Sequence, residues 1–320
     1  MTKLLLLVNK PRFNITELSN HCDVYAYMMY KNFKEAGFVF DLKSRDDLPI
    51  TETYDHCFIA INGALPPMLP DEIVELRKNI TGKIITMCEC DWRLQDLIDT
   101  RFVIYPSQRL DKCITSSWGV DKSLHYPEKI RDGKIRVFVD HAYYERSKKN
   151  SRRDKTDYIM RSLIEHNKFD VRHLSRKGII SMDKYNSVKE QVKKEGKTSK
   201  IIHAPYSTLC EELRKADIFV VTHAESFGFT IIEAAASGCL VLAPKRRIQP
   251  FVKNNIHCVE FNINPDKSVG ESIDWDNLVK YINVERSVNM ASRFSYQILI
   301  NDIKNHMLSL NPPIDIDNKN

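Results

Sequence analysis

The sequence lacks the long apolar runs that signal peptides and membrane spans need. The run KLLLLV near the start is too short for the core of a signal peptide and far too short to cross a bilayer. We interpret it as a first buried strand. At 320 residues, the chain is too long for one small domain and suits two domains with separate cores. We therefore expect a soluble, cytoplasmic protein of two domains.

Paired cysteines at metal-site spacing are also absent. The eight cysteines include no CxxC pair and no His/Cys grouping typical of a zinc site. Several lie inside apolar runs, where free cysteine behaves as a small hydrophobic residue. Core packing in a reducing compartment therefore explains them better than metal binding or disulfides, and we predict no metal.

Short runs rich in Val, Ile and Phe alternate with longer stretches of helical periodicity, which predicts strand–helix units around parallel sheets. The predicted strands are Leu4–Val8, Phe38–Leu42, Cys57–Ile61, Ile84–Met87, Phe102–Tyr105, Arg136–Val139, Asp170–His173, Ile218–Thr222 and Leu240–Ala243. The predicted helices are Cys22–Glu35, Asp71–Asn79, Asp154–Glu165, Thr208–Lys215, Thr230–Ala236 and Ser292–Leu308. This order indicates two consecutive doubly wound units.

A break between the two units is expected where turn residues and charges precede a fresh buried strand. The stretch WGVDKSLHYPEKIRDG, followed by KIRVFVD, places it near residue 130. We predict a Rossmann-like domain over 1–130, a second over 131–290, and a helix over 291–310 that packs back toward the first. The apolar run behind that helix consists of Phe294, Ile298, Ile300, Ile303 and Met307.

Two glutamates, Glu225 and Glu233, frame the stretch ESFGFTIIE between a buried strand and a helix. The strand is ADIFVV, and FTIIEAAASG predicts a helix that ends at Gly238, a residue suited to left-handed backbone. Glu225 then lies in a loop at the carboxyl end of a strand, which is where open parallel sheets bind ligands.

The residues between the two acids suit a phosphate group. Gly228 lets the backbone approach a ligand closely, and the N–H groups of Phe229, Thr230 and Ile231 at the helix start attract anions. Glu233, about one turn inside the helix, could accept both hydroxyls of a ribose. The loop glutamate could accept hydroxyls of a second sugar. The alternative is a solvated loop acid and a helix acid that only favours the amino terminus.

The stretch ADIFVVTHAESFGFTIIEAAASGCLVLAPK resembles the donor-site signature of the retaining GT-B glycosyltransferases. That signature has two glutamates separated by seven residues, Phe-Gly after the first, and a small-residue helix leading to a strand. The stretch WGVDKSLHYPEK is similar to the Gly-Val-Asp linker that precedes the second domain in this family. The resemblance implies two Rossmann-like domains facing across a cleft, the first binding the acceptor and the second the nucleotide sugar.

The resemblance also implies roles for individual residues. Glu225 is the catalytic residue that contacts the transferred sugar, Glu233 binds the ribose, and the segment Phe227 to Thr230, including Gly228 and Phe229, binds the diphosphate. The family uses an Arg and a Lys after the first strand of the second domain. Here six basic residues follow that strand: Arg146, Lys148, Lys149, Arg152, Arg153 and Lys155. We select Arg146, Arg153 and Lys155 as donor-binding residues, with a solvated basic loop as the alternative.

The first half departs from the family pattern in two places. No glycine pair follows the first strand, and GKIITMCECDWRL carries Glu89 and Asp91 where relatives have a histidine. Asp91 could act as a general base on an acceptor hydroxyl, as an inverting mechanism requires, or it could cap a helix. The layout also resembles, loosely, the bacteriophage DNA beta-glucosyltransferase.

We therefore predict a metal-independent glycosyltransferase with no cofactor, which takes its sugar from a UDP- or GDP-linked donor. The acceptor could be a glycan, a small molecule, a protein or DNA. The net charge of +6 favours anionic ligands without demonstrating nucleic-acid binding. A nucleotide-sugar epimerase or phosphorylase is a same-fold alternative. A catalytically inactive module that binds a nucleotide or a glycan is an alternative from another class.

Overall fold

The structure is a computed structural model, and it divides the chain into two compact units. One comprises Met1–Asp121 with Phe294–Asn320, and the other Lys122–Arg293. The described residues are 2–11, 13–18, 21–61, 68–87, 97–103, 113–115, 119–140, 159–160, 162–163, 166, 168–175, 177–195, 204–222, 229–244, 258–261 and 273–308. Among these, no helix has both the length and the apolar character that crossing a membrane demands.

The first unit is built on a parallel sheet. Its elements within Met1–Asp121 are β1 (Leu4–Val8), α1 (His21–Glu35), β2 (Phe40–Ser44), β3 (His56–Ala60), α2 (Pro70–Arg77), β4 (Ile84–Met87), β5 (Thr100–Val103) and β6 (Cys113–Thr115). The strand order is β2-β1-β3-β4-β5-β6, and all five pairings are parallel. β1 is fully buried because both its faces carry leucines, as a central parallel strand requires.

The second unit repeats the plan around another six-stranded sheet. Its elements are β7 (Ile135–Val139), β8 (Phe169–Ser175), β9 (Gly178–Ser181), α3 (Tyr185–Glu195), α4 (Tyr206–Lys215), β10 (Ile218–Val220), α5 (Phe229–Ala236), β11 (Leu240–Pro244), β12 (Cys258–Phe261), α6 (Trp275–Leu278) and α7 (Val284–Ala291). The strand order is β12-β11-β10-β7-β8-β9, parallel except for the antiparallel β8–β9 pair. The predicted α/β class is thus confirmed.

Both faces of the second sheet are covered. Val137 and Val139 pack in one core with Trp275 of α6. Phe138, which points to the opposite face, stacks on Phe219 with ring centroids 6.1 Å apart. Apolar burial on both faces explains why β10 and residues 137–139 of β7 are continuous hydrophobic runs.

The final helix, α8 (Tyr296–Leu308), belongs to the first unit, where it contacts α1. It begins four residues later than Ser292, because α7 forms a separate helix and residues 292 and 293 form a turn. The units divide at Asp121 rather than near residue 130. The reason is that the linker packs on α4: Arg214 Nε donates to Glu128 at 3.0 Å, and Lys129 Nζ donates to the Ala216 carbonyl.

Candidate donor site

The second sheet has a topological switch point between β7 and β10. From β7 the chain moves to β8 on one side, and from β10 it moves to β11 on the other. In open parallel sheets the crevice at the carboxyl ends of two such strands is the usual ligand site. Two buried polar residues stand there, Asp140 after β7 and Thr222 after β10. The hydroxyl of Thr222 donates to the Asp140 carbonyl at 2.9 Å, which joins the two strand ends.

Helix α5 starts beside this crevice. Phe229 and Thr230 form its first two positions, and both are half-buried. The first N–H groups of a helix have no acceptor within the helix, and together with the helix dipole they favour an anion. At the other end, Gly238 has φ +80°, so the predicted left-handed stop of this helix is confirmed.

Glu233 lies one turn inside α5 and is only 8% exposed. The Tyr206 hydroxyl, at the start of α4, donates to Glu233 Oε1. His125 Nε2 lies 3.7 Å from the same oxygen. The other oxygen, Oε2, is buried and accepts no hydrogen bond from the described residues. A buried carboxylate oxygen without a donor is energetically costly, so this atom is available for a ligand hydroxyl.

His125 completes a chain of polar side chains behind Glu233. Its Nε2 lies 2.9 Å from the Tyr206 hydroxyl oxygen, and the two rings meet edge-on with centroids 5.9 Å apart. Because the phenol gives its one hydrogen to Glu233, its oxygen accepts from His125, and Nε2 must carry a proton. Cys210 Sγ approaches the same nitrogen at 3.7 Å. The order of donation is therefore His125, Tyr206, Glu233.

The sequence reasoning missed Tyr206 and His125. His125 and Tyr206 are 81 positions apart in the sequence, and Tyr206 and Glu233 are 27 positions apart. Only the parallel sheet order brings the linker, the start of α4 and the middle of α5 together. His125 carried no signal of its own, since it is a lone histidine in the largely polar linker WGVDKSLHYPEK.

The predicted site residues fall into two groups. Phe229, Thr230 and Glu233 are described, and all three lie on α5 near the switch point. The others, which are Glu225, Asp91, Arg146, Arg153, Lys155, Phe227 and Gly228, lie outside the described residues. Their roles stay predictions.

A cavity of about 190 Å³ in the same unit is a different feature. Its charged lining mixes signs: Arg136, Asp170, Arg172, Glu212 and Lys215. Arg136 already pairs with Asp132, and burial raises the pKa of Glu212. The cavity is lined by the carboxyl end of α4, whereas the switch point faces the amino end of α5, so it is not part of the candidate donor site.

No protein-family model matches the chain, and no curated protein matches its sequence. Solved structures match in fold. Sucrose-phosphate synthase from Thermosynechococcus elongatus superposes with a TM-score of 0.65 and 10% identity, over 97% of this chain and 100% of that one. HepE from Anabaena, solved with UDP and glucose, superposes with a TM-score of 0.54 and 13% identity, over 97% of this chain and 100% of that one. A glycosyltransferase from Rickettsia africae superposes with a TM-score of 0.56 and 14% identity, over 97% of this chain and 99% of that one.

These neighbours are GT-B-type glycosyltransferases, and each alignment covers nearly the whole of both chains. At such low identity the likeness establishes the fold. The predicted fold class, GT-B with Rossmann-like units, is therefore confirmed.

Proposed function

We propose that the protein is a glycosyltransferase that moves a sugar from a UDP- or GDP-linked donor to an acceptor hydroxyl. The observation that carries the proposal is Glu233: a buried carboxylate at a switch point, with one oxygen held by Tyr206 and the other without a donor among the described residues. A ribose hydroxyl supplies the hydrogen bond that this oxygen needs. Among the fold neighbours, HepE was solved with UDP and with UDP-glucose, which supports the same class of ligand.

The diphosphate of the donor would lie against the start of α5. The backbone N–H groups of Phe229 and Thr230 are the described contribution, and the dipole of the helix favours the negative charge. The resemblance implies that the diphosphate is also bound by Phe227, Gly228 and the basic residues Arg146, Arg153 and Lys155. Cationic side chains then neutralise the leaving diphosphate in the role that a metal ion plays elsewhere, so transfer is proposed to be metal-independent.

The chemistry at the sugar is assigned to two acids. Glu225 would contact the transferred sugar and stabilise the positive charge that develops on it. Asp91 would accept the proton of the acceptor hydroxyl if the outcome is inversion. Glycans, small molecules and hydroxymethylated DNA bases all offer such a hydroxyl.

The test compares nucleotide binding with turnover in single variants. Glu233→Ala should weaken calorimetric affinity for UDP or GDP by tenfold or more, on the order of 1.5–3 kcal/mol for one charge-assisted contact. Glu225→Gln should leave that affinity nearly intact while hydrolysis or transfer from the nucleotide sugar falls. The matched control is Glu212→Ala, which removes a partly buried glutamate of the same unit at the other end of α4.

Three outcomes would count against the proposal. Wild-type protein that binds neither nucleotide would remove the donor site. Equal losses of nucleotide affinity in Glu233→Ala and Glu225→Gln would show that Glu233 does not bind the ribose separately from the contact of Glu225 with the transferred sugar. Tight binding without turnover on any acceptor or by hydrolysis would indicate a nucleotide-binding module instead of an enzyme.

A further inference from the structure

We propose that Tyr206 and His125 are positioning residues that set how the nucleotide ribose is recognised. The inference rests on the proposed function, because it assigns a role to the two side chains behind the ribose-binding carboxylate. Neither residue needs to touch the ligand. Their effect passes through Glu233, whose carboxylate they hold in one orientation.

The first step concerns the two oxygens of Glu233. The Tyr206 hydroxyl donates to Oε1, while Oε2 accepts nothing from the described part of the chain. The terminal torsion of a glutamate is broad, so an unheld carboxylate rotates between many orientations. One hydrogen bond to Oε1 removes that freedom and leaves Oε2 as the acceptor for the ligand. The geometry is thus prepared before a nucleotide arrives, which lowers the entropic cost of binding.

The second step concerns what holds Tyr206. A phenol has one hydrogen and can rotate it toward any acceptor. His125 Nε2, at 2.9 Å from the phenol oxygen, occupies the acceptor side of that oxygen and directs the hydrogen to Glu233. His125 is 2% and Tyr206 4% exposed, so water does not compete for these bonds. In such a dry environment a directional chain of hydrogen bonds is stronger than the same chain in water.

The third step concerns the origin of the three side chains. His125 comes from the linker that opens the second unit, Tyr206 from the first turn of α4, and Glu233 from α5. The carboxylate is therefore tied to two segments besides its own helix. A shift of α4 or of the linker relative to α5 would change the orientation of the carboxylate directly.

The experiment measures discrimination between ribose and deoxyribose. Isothermal titration calorimetry gives the Kd of UDP, dUDP, GDP and dGDP for the wild-type protein, Tyr206→Phe, Glu233→Ala and the double variant. The quantity of interest is the Kd of the 2′-deoxynucleotide divided by the Kd of the ribonucleotide. A general structural defect weakens both nucleotides alike and leaves this ratio unchanged, so the ratio reports on orientation of the carboxylate.

We expect a wild-type ratio of about ten or more for the preferred base, since a charge-assisted hydrogen bond to the 2′-hydroxyl is lost. Glu233→Ala should bring the ratio near one. Tyr206→Phe should lower it about threefold to tenfold, the range for one neutral hydrogen bond that supports the acceptor. In the Glu233→Ala background, Tyr206→Phe should have no further effect on the ratio.

Two controls separate positioning from stability. Tyr185→Phe removes another buried phenol hydroxyl of the same unit, on α3, and should leave the ratio at its wild-type value. His125→Gln keeps a donor at the position of Nε2, whereas His125→Leu does not. The glutamine variant should therefore retain most of the ratio and the leucine variant should lose it.

The outcomes distinguish this inference from the proposed function. If Glu233→Ala lowers the ratio and Tyr206→Phe does not, the carboxylate binds ribose without help and the positioning role is overturned. A ratio near one in the wild type would overturn it as well, because the 2′-hydroxyl is then not recognised. Absence of binding of both ribonucleotides would overturn the proposed function and this inference together.

Discussion

His173 is a buried histidine in the second sheet. His173 lies in β8, opposite Val139 of β7 and Ile180 of β9, and is fully buried. Its ring meets that of Tyr185 edge-on at 5.4 Å. Burial disfavours the charged imidazolium and lowers the pKa of His173 to about 4. The histidine is consequently neutral in the folded protein from pH 7 down to about pH 4.

This shift makes stability fall as the solution is acidified. Between pH 6.5 and 4 the unfolded chain binds a proton at this histidine and the folded chain does not, so acid favours unfolding. The expected loss from His173 between pH 7 and pH 5 is about 2 kcal/mol. Urea unfolding at both pH values should show it for the wild-type protein, and the loss should be smaller by that amount in His173→Leu.

His56 and His306 in the first unit also have pKa values lowered, chiefly by burial. Both are present in the wild type and the variant, so their effect cancels in the comparison. An identical acid-induced loss in the two proteins would show that folding does not lower the pKa of His173.

At the scale of elements, the end of α5 is fixed by close packing against the linker. Gly238 has φ +80°, and a Cβ added there would lie 2.8 Å from Val284 Cγ1 and 3.1 Å from Pro127 Cγ. Lys129, from the same linker, donates to the carbonyl of Ala216 at the end of α4. The linker therefore sets the position of the helix that carries Glu233.

Gly238→Ala should destabilise the protein by about 2–4 kcal/mol, because it adds both backbone strain and an overpacked contact. The control is Gly133→Ala. Gly133 has φ +85° but nothing within 4 Å of an added Cβ, so only the backbone strain of about 1 kcal/mol remains. Urea midpoints of the two variants and the wild type measure the difference. Equal destabilisation would mean that Val284 and Pro127 move aside without cost.

The elements that the sequence predicted best are those with a strong apolar pattern. β1 and β4 have the predicted bounds, and α5 begins one residue earlier than predicted. The missed strands, β6, β9 and β12, lie at the edges of the two sheets. Each has only three or four residues, too few for an apolar pattern to be recognised. Helix α3 was missed because its sequence, YNSVKEQVKKE, carries few apolar residues to pack on the sheet.

The candidate site was predictable only in part for a related reason. A motif within one stretch of sequence, such as the start of α5 with Glu233, can be recognised from spacing. The chain from His125 through Tyr206 depends on contacts between distant segments, and no local pattern encodes it. Long-range pairs of this kind follow from sheet order, which composition and periodicity leave open.

At the scale of the whole molecule, helix α8 returns to the first unit and packs on it. Lys83 Nζ, from the segment before β4, donates to the carbonyl of His306 at 2.6 Å. The buried face of α8 consists of Tyr296, Leu299, Ile300, Ile303 and Met307. The sequence pattern had assigned Ile298 to this face, but that residue is 45% exposed. It lies outside the stripe formed by positions 296, 299, 300, 303 and 307, which follows the period of an α-helix.

Ile303→Ala should therefore weaken the first unit although the residue lies near the carboxyl terminus. The side chain is fully buried, and its truncation should cost about 2–5 kcal/mol. Ile298→Ala, on the exposed side of the same helix, is the matched control and should change stability by about 0.5 kcal/mol or less. Hydrogen exchange followed by mass spectrometry locates the effect, since local opening raises exchange in the unit that loses its packing. In Ile303→Ala we expect faster exchange in β1, β3 and β4 of the first unit and unchanged exchange in β7, β10 and β11 of the second. Faster exchange confined to β7, β10 and β11 would contradict this prediction and show that α8 stabilises the second unit.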